Sequence, residues 1–348
     1  MRAITVKPGT AHSAQLDEVA EPDDRDGSVV AEVLHLGVCG TDREILSGKY
    51  GAPPHGRERL VIGHESLARV LEAPEPLQRG DLVVGIVRRP DPVPCASCAI
   101  GEWDMCRNGR YTERGIRERD GYAAQRIRLE PEFAVRVDPA LEEVGVLLEP
   151  ASVVAKAWEQ IDRIGKRSAV WRPHTALVTG AGPIGLLAAL IGVQRGLEVH
   201  VYDRNERGTK PQLVRDLGAH YHLARPGALN TFQADVVVEC TGASSVIMDA
   251  IGRLAPDGIA CLAGVSSGGH RIAIDVGLLN RELVLENNVV FGSVNANRRH
   301  YEEAAAALAR ADRAWLARLI SRRVRLADWQ DAFERRDGDV KVVLDFAA

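Results

Sequence analysis

Two short stretches of the sequence carry the ligand types of a catalytic zinc ion. Cys39-Gly40-Thr41-Asp42 supplies a thiol and a hydroxyl, and Gly63-His64-Glu65 supplies an imidazole and a carboxylate. A catalytic zinc uses three protein ligands of these types and keeps a further position open for substrate. Because Cys39 and His64 lie too far apart for a local motif, a buried cysteine and a core histidine remain the simpler interpretation of either residue alone.

A second cluster of cysteines has the spacing of a structural zinc site. Cys95, Cys98 and Cys106 form a Cys-x2-Cys-x7-Cys pattern, and structural zinc takes four ligands in a tetrahedron. Three sulfurs leave one position unfilled, and Asp91 is the nearest candidate for it. The alternative is a group of reduced thiols in a loop.

A glycine-rich turn in the middle of the chain predicts a dinucleotide site. The apolar strand 176–179 runs into Gly180-Ala181-Gly182-Pro183-Ile184-Gly185, which an apolar helical stretch follows. In such a turn the first glycine allows the bend, the second lets the backbone approach a pyrophosphate, and the third lets the helix pack on its strand. Asp203, at the end of the next predicted strand, stands where these folds place the acid that binds the adenosine ribose.

The residues after this second strand bear on cofactor choice. A carboxylate at Asp203 binds a ribose 2'-hydroxyl and repels a 2'-phosphate, whereas Arg204 favours the phosphate. The sequence therefore favours NAD with some tolerance of NADP. The predicted cofactor-binding residues are Gly180, Gly182, Pro183, Ile184, Gly185, Asp203, Arg204, Asn205, Thr241 and Asn295.

The elements that position these residues fall into two patterns. Residues 1–150 are rich in strand and turn, with an irregular lobe at about 88–121 and a predicted helix at 142–164. From residue 176 onward strands alternate with helices, with a turn at 256–258, which predicts a parallel sheet covered on both faces. A final strand at 341–346 needs a sheet to join, and we expect it to return to the N-terminal domain. His220 and His222 flank Tyr221 on a strand and resemble an edge pair more than a metal site.

Composition limits the functional classes. The chain has 348 residues, 45% hydrophobic residues and a net charge of -4, which fits two globular domains and argues against nucleic acid as a partner. The sequence shows no signal-peptide core and no apolar run long enough for a membrane span. We therefore expect a cytoplasmic protein without a membrane partner, in which clustered cysteines bind metal rather than form disulfides.

Taken together, these motifs resemble the zinc-dependent medium-chain dehydrogenases along nearly the whole chain. Within that superfamily four stretches resemble the glucose 1-dehydrogenases best known from archaea; they are Val87-Arg88-Arg89-Pro90, Tyr111-Thr112-Glu113-Arg114-Gly115-Ile116, Leu148-Glu149-Pro150 and Gly292-Ser293-Val294-Asn295-Ala296-Asn297. The resemblance implies an α/β protein with a GroES-like, β-rich catalytic domain (1–152), a doubly wound Rossmann domain (153–296) and a C-terminal return (297–348).

The resemblance also implies roles for individual residues. Cys39 and His64 match the catalytic zinc ligands, and Glu65 and Glu149 match acids that bind the metal directly or through water. Thr41 matches the hydroxyl beside the nicotinamide that joins the proton relay. The residues that match sugar-binding positions are Thr41, Glu113, Glu149 and Asn295. The cysteine lobe departs from the family's four-cysteine pattern because Pro92 replaces the first cysteine.

The function implied is zinc-dependent oxidation of an aldose, glucose or a close relative, at C1 to the lactone, with hydride transfer to NAD or NADP. One alternative is a polyol, aminocyclitol or other sugar alcohol dehydrogenase of the same superfamily, since pocket detail decides the substrate. Another is a nucleotide-binding relative that has lost catalysis. By analogy with the superfamily we expect a homodimer or homotetramer.

Overall fold

The computed structural model describes residues 1–225, 232–266 and 271–347. The chain divides into two compact units, one formed by Met1–Ser152 with Asn295–Ala348 and the other by Val153–Val294. We call them the first unit and the second unit. Both combine helices with sheet, so the predicted α/β class is confirmed.

Strands are numbered in chain order. They are β1 (Arg2–Val6), β2 (Gln15–Glu18), β3 (Val29–Val38), β4 (Leu60–Val61), β5 (Glu65–Glu72), β6 (Leu82–Gly85), β7 (Arg88–Arg89), β8 (Thr112–Arg114), β9 (Glu118–Arg119), β10 (Arg126–Leu129), β11 (Ala134–Val137), β12 (Thr175–Thr179), β13 (Glu198–Asp203), β14 (His220–Leu223), β15 (Ala234–Glu239), β16 (Leu254–Leu262), β17 (Val289–Gly292), β18 (Ile320–Arg325) and β19 (Lys341–Asp345).

The α-helices are numbered in the same way. They are α1 (Gly40–Leu46), α2 (Ala96–Ala99), α3 (Leu148–Gly165), α4 (Pro183–Gln194), α5 (Thr209–Asp216), α6 (Ser244–Ile251), α7 (Val276–Leu285), α8 (Arg298–Arg310), α9 (Arg313–Leu319) and α10 (Trp329–Phe333). Among the described residues, every helix falls short of the combined length and apolar character that a membrane crossing requires.

The first unit is organised by a sheet in the order β11-β6-β5-β3-β19-β18, with β10 also paired to β3. The long strand β3 is almost fully buried along its second half, as an interior strand that packs on both faces should be. The terminal strand β19 pairs antiparallel with β3, with Val342 opposite Val38. The C-terminal strand β19 thus completes the N-terminal sheet. Its first residue, Lys341, lies in the core.

The second unit contains a parallel sheet in the order β14-β13-β12-β15-β16-β17. In chain order this is the 3-2-1-4-5-6 arrangement of the dinucleotide-binding fold. Leu177 and Val237, in its two central strands, are fully buried, which explains why those strands are apolar along their length. The predicted Rossmann sheet is therefore confirmed.

Three elements differ from the sequence-based predictions. Helix α3 begins at Leu148, later than predicted, because residues Gly145–Leu147 form a 3-10 turn. The predicted turn at 256–258 lies inside β16, where Asp257 adopts a φ of 61° and the pairing with β15 shifts register. Helix α7 was not predicted, because its apolar residues face outward rather than forming one buried stripe.

Candidate metal and dinucleotide sites

The first unit brings Cys39, His64 and Glu65 together. Cys39 precedes the first residue of α1, His64 precedes β5, and Glu65 is the first residue of that strand. One ligand atom from each residue lies within 4.8 Å of the other two. His64 and Glu65 are buried, and Cys39 is half-buried. Thiolate, imidazole and carboxylate at this separation form a donor set that suits zinc. We call these three residues the Cys39 cluster.

Asp42 holds two members of the Cys39 cluster in place. Its Oδ2 accepts a hydrogen bond of 2.8 Å from the backbone N–H of Cys39, and its Oδ1 lies 3.2 Å from Nδ1 of His64. A carboxylate facing one ring nitrogen is the usual device that directs the other toward a metal, so Nε2 of His64 is the ring nitrogen available to a metal ion. Burial disfavours the charged imidazole, but the negative charges of Asp42 and Cys39 hold the pKa of His64 well above its ordinary value.

Lys341 forms a buried ion pair with Glu65. Its Nζ lies 2.8 Å from Oε1 and 2.6 Å from Oε2 of that carboxylate, and it also donates to the carbonyl oxygen of Val38 at 3.3 Å. Burial disfavours the charged amine, but the Glu65 carboxylate raises the pKa of Lys341 above its ordinary value. Glu65 is therefore a carboxylate whose two oxygens are already engaged by a cation.

Glu149 is the second carboxylate of this region, and its electrostatic setting is different. It lies at the start of α3 and is buried. Burial is the largest influence and raises the pKa of Glu149 to about 7; Glu65 and Asp42 add to the rise, while the positive charges of His64 and Lys341 oppose it. A buried carboxylate in this setting gains from a further cation beside it.

Glu113 and Asn295 meet in the first unit. Oε1 of Glu113 accepts hydrogen bonds from Asn295 Nδ2 at 2.8 Å and from Arg88 Nε and Nη2 at 3.1 and 3.0 Å. Arg88 and Glu113 face each other across the antiparallel pair of β7 and β8, and the guanidinium carbon of Arg88 lies 3.7 Å from the centre of the Tyr111 ring. The carboxylate and the amide are thus held in a fixed orientation.

Thr41 lies in the first turn of α1, where its Oγ1 is 3.9 Å from Sγ of Cys39. The side chain is half-buried. The helix thus presents a hydroxyl group directly beside the Cys39 cluster.

The three lobe cysteines also come together. One sulfur from each of Cys95, Cys98 and Cys106 lies within 4.8 Å of the other two. Backbone N–H groups of Arg107 and Cys98 point at Cys95 and lower the pKa of its thiol to about 6, so it ionises readily for metal binding. The Asp91 carboxylate accepts hydrogen bonds from Val93, Asn108 and Arg110, and its assignment as fourth ligand stays a prediction.

The glycine-rich turn of the second unit has the geometry that its sequence predicts. Gly180 has a φ of +89°, and a Cβ added at Gly185 would lie 1.8 Å from the carbonyl oxygen of Gly180. Gly182, which precedes Pro183 and Ile184 at the start of α4, faces open space, where an added Cβ would meet nothing within 4 Å. The backbone therefore leaves room for a phosphate group at the helix N-terminus.

Asp203 ends β13 beside this turn. Its Oδ2 accepts a 2.8 Å hydrogen bond from the N–H of Ala181, and its Oδ1 accepts a 2.9 Å bond from the N–H of Asn205. Arg204 lies between Asp203 and Asn205 in the chain. Thr241 follows β15, and its N–H donates to the buried Glu239 at 2.6 Å. These contacts order the loops at the carboxyl ends of β13 and β15, the edge where such sheets bind dinucleotides.

Three residues of these sites received no role from the sequence. Asp42 stands three positions after Cys39, the spacing of a helix capping box, which is a usable signal. Lys341 opens an apolar strand that must be buried, so its charge needs a buried partner. Arg88 was part of a family-like stretch, but its pairing with Glu113 depends on strand register, which a single sequence does not give.

Comparisons with known proteins agree with this architecture. Residues 25–139 match the family described as the alcohol dehydrogenase GroES-like domain, and residues 142–346, more than half of the chain, match the family described as the glucose dehydrogenase C-terminus. The chain is 39% identical to a glucose 1-dehydrogenase of Methanocella arvoryzae over 100% of both proteins. It is 39% identical to a glucose 1-dehydrogenase of Thermoproteus tenax over 99% of both.

A solved structure is similar over the same extent. The Haloferax mediterranei glucose dehydrogenase, solved in complex with NADP, zinc and gluconolactone, has a TM-score of 0.91 and 30% identity and covers 100% of both chains. The Escherichia coli galactitol-1-phosphate dehydrogenase, at 20% identity and a TM-score of 0.81, shares the fold. With family matches along nearly its whole length and relatives that it matches from end to end, this chain belongs to the glucose dehydrogenase family of the medium-chain dehydrogenases.

Proposed function

We propose that this protein oxidises glucose or a close aldose at C1 to the lactone and transfers the hydride to NAD or NADP, with a zinc ion at the Cys39 cluster. The observation that carries the proposal is that the Glu113 and Asn295 pair and the Cys39 cluster belong to the same unit of the chain. A metal-ligand set together with fixed carboxylate and amide groups suits a substrate with several hydroxyls. The two sequence relatives named above and the similar Haloferax mediterranei structure are glucose dehydrogenases.

Cys39, His64 and Glu65 form a donor set that fits zinc, and we propose that Glu149 takes the place of Glu65 as the carboxylate ligand beside Cys39 and His64. Glu149 is favoured over Glu65 because both oxygens of Glu65 already contact Lys341, whereas burial leaves Glu149 in need of a cation. Glu65 then supports the site from beside it, held by Lys341. When bound, zinc supplies Lewis acidity that lowers the pKa of a substrate hydroxyl.

The protein's own groups orient the sugar and move the proton. The hydrogen bonds from Arg88 and Asn295 occupy Oε1 of Glu113, which leaves Oε2 to accept from a sugar hydroxyl. A charge-assisted hydrogen bond of this kind is stronger than a neutral one. Thr41 carries the hydroxyl that receives the substrate proton beside Cys39, and Glu149 and Asn295 complete the sugar contacts.

The second unit binds the nicotinamide cofactor. The N–H groups at the start of α4 hold the pyrophosphate, and Asp203 accepts from the ribose hydroxyls. A negative charge at this position favours NAD over NADP, whereas the Haloferax mediterranei structure contains NADP. Thr241 and Asn205, in the loops at the same edge of the sheet, complete the nucleotide contacts.

We further propose that the cysteine lobe binds a structural zinc ion through Cys95, Cys98 and Cys106. The three thiols are free of disulfides and adjacent. Backbone hydrogen bonds to Cys95 are typical of metal-binding turns because they stabilise the thiolate. The fourth ligand is Asp91, after a change of its side-chain conformation, or water.

The assembly we propose is a homo-oligomer. Among the residues that the structure describes, strand β17 ends the parallel sheet of the second unit with an unpaired edge. Helix α7 exposes Val276, Leu278, Val284 and Leu285 to at least 53%. Exposed apolar residues grouped on one helix and an open strand edge are each typical of subunit interfaces. A cytoplasmic location stays a prediction from the sequence.

A substrate panel tests the proposed reaction. Reduction of NAD and of NADP is followed with glucose, other aldoses, polyols, aminocyclitols and simple alcohols, for the zinc-loaded protein and after chelation. We expect the highest kcat/KM with glucose or a close aldose and loss of activity on chelation that zinc restores. Activity only with a polyol, an aminocyclitol or a simple alcohol would contradict the proposal, as would nucleotide binding without turnover of any substrate.

A further inference from the structure

A second group of metal-ligand side chains lies in the second unit, on residues that the proposed reaction does not use. Glu198 and His200 are two residues apart on β13, so their side chains share one face of the sheet. His220, on β14, is the direct partner of His200 in the parallel register, which places it on the same face. The sequence indicated only a histidine pair on an edge strand. The fold adds Glu198 and His200 to it.

The distances suit coordination of a single ion. Oε1 of Glu198 lies 3.1 Å from Nε2 of His200 and 3.6 Å from Nε2 of His220, and the three ligand atoms lie within 4.8 Å of one another. Bonds of about 2.0 Å to a tetrahedral zinc separate its ligands by roughly 3.3 Å. Shifts of side-chain torsions alone would therefore bring the three groups into a coordination shell.

Neighbouring groups orient His200 for this role. Nε2 of His222 lies 2.8 Å from Nδ1 of His200, and the Phe232 ring packs against the His200 ring with centroids 4.3 Å apart. A hydrogen bond at one ring nitrogen fixes the direction of the other, as at known metal sites.

We propose that Glu198, His200 and His220 form a binding site for a divalent transition-metal ion of the zinc type. Imidazole with carboxylate suits zinc, nickel or copper, whereas magnesium and calcium prefer oxygen ligands alone. His174, an exposed residue just before β12, is the candidate for the fourth position after a shift of its side chain, since its Nε2 lies 3.8 Å from Oε2 of Glu198. We call this the Glu198 site.

The location of the Glu198 site indicates a stabilising role. It joins β13 to β14, the edge strand of the parallel sheet. It lies at the start of β13, whereas Asp203 lies at the end of that strand. Metal bound at the Glu198 site would therefore hold β14 to β13 without taking part in the oxidation. Because it binds only the folded chain, it would stabilise that state by mass action.

The test uses the full-length protein loaded with zinc and then dialysed. Bound zinc per chain is measured by elemental analysis, and zinc affinity by calorimetry, for the wild type, His220→Ala and Glu198→Gln. His55→Ala, which removes an exposed histidine of the first unit, is the matched control. We expect both site variants to bind one zinc fewer per chain, or to bind the last zinc at least tenfold more weakly, with oxidation kinetics unchanged.

Cobalt provides a second measurement. Cobalt at a site with cysteine gives a sulfur-to-metal charge-transfer band, whereas the Glu198 site has only nitrogen and oxygen ligands. We expect His220→Ala to lose the ligand-field absorption of the Glu198 site and to keep the charge-transfer bands of the cysteine-containing sites. Equal metal content, affinity and cobalt spectra in the wild type and both variants would overturn the proposal, and a His174→Ala variant with wild-type affinity would overturn the assignment of the fourth ligand.

Discussion

At the scale of single residues, the two buried carboxylates near Cys39 differ in what neutralises them. Glu65 is neutralised by Lys341, whereas the pKa of Glu149 is raised to about 7 mainly by burial. An acid whose pKa rises on folding holds its proton more tightly in the folded state than in the unfolded chain. The contribution of Glu149 to the free energy of unfolding is therefore complete at low pH. It is lost as the pH rises from 4.5, the ordinary pKa of this group, to about 7, its pKa in the folded protein.

We predict that Glu149→Gln stabilises the metal-free protein at neutral pH while it weakens zinc binding. The amide keeps the shape of the side chain without the buried charge, so the gain in the free energy of unfolding should grow between pH 4.5 and 7. We expect it to level off at higher pH at about 3 kcal/mol. Urea unfolding across pH measures it, with the exposed Glu72→Gln as control. A pH-independent difference would contradict the assigned pKa.

Asp203 is the residue on which cofactor choice depends. Each oxygen of its carboxylate accepts one backbone hydrogen bond. Asp203→Asn removes the charge and replaces one of these two acceptor oxygens by an NH2 group. We predict that the ratio of kcat/KM for NAD to that for NADP falls about tenfold or more, because the ribose hydroxyl loses a charged acceptor and the 2'-phosphate loses a repulsive neighbour. Steady-state kinetics with both cofactors measure the ratio. If it does not change, another residue sets the preference.

At the scale of elements, the strand-turn-helix at 176–194 shows what a single sequence can predict. Its glycine positions follow from local sterics, and the structure reproduces the prediction. The partners of Lys341 and Arg88 were not predictable in the same way, because each depends on which strands pair and in which register. Helix α7 was not predicted, because the periodicity of apolar residues identifies a helix only when the helix buries one face.

Two glycines of this turn make a matched pair for testing. We predict that Gly185→Ala destabilises the protein by about 2 kcal/mol or more, because the added carbon would lie 1.8 Å from the carbonyl oxygen of Gly180. Gly182→Ala should fold normally, since its added carbon meets nothing within 4 Å, but it should bind the nucleotide weakly. Thermal unfolding and nucleotide titration distinguish the two. Equal stability of both variants would contradict the packing argument.

At the scale of the whole molecule, the chain leaves the first sheet, builds a complete second unit and then returns to supply β18 and β19. The alternation of strands and helices after residue 176 made the second unit predictable. The return of the last strand to the N-terminal domain was expected only because an apolar terminal strand needs a sheet to join. The identity of its partner strand came from the structure.

The exposed face of α7 gives a prediction about assembly. We predict that replacing both Val284 and Leu285 by aspartate produces monomers, because these side chains are 65% and 63% exposed in a single chain and charges there would be buried at a subunit contact. Light scattering after size exclusion measures the mass, with a paired aspartate change at the exposed Arg335 and Arg336 as control. A wild-type protein that is already monomeric would contradict the proposed assembly.

The most direct test of the central claim follows the hydride itself. The zinc-loaded protein is incubated with glucose deuterated at C1, and the reduced nicotinamide and the sugar product are analysed by mass spectrometry. We predict one deuterium on the reduced cofactor and an undeuterated lactone. Neither product should form after chelation of the metal or with the Cys39→Ala variant. Reduced cofactor without deuterium, or deuterium transfer that persists without metal, would contradict metal-dependent oxidation at C1.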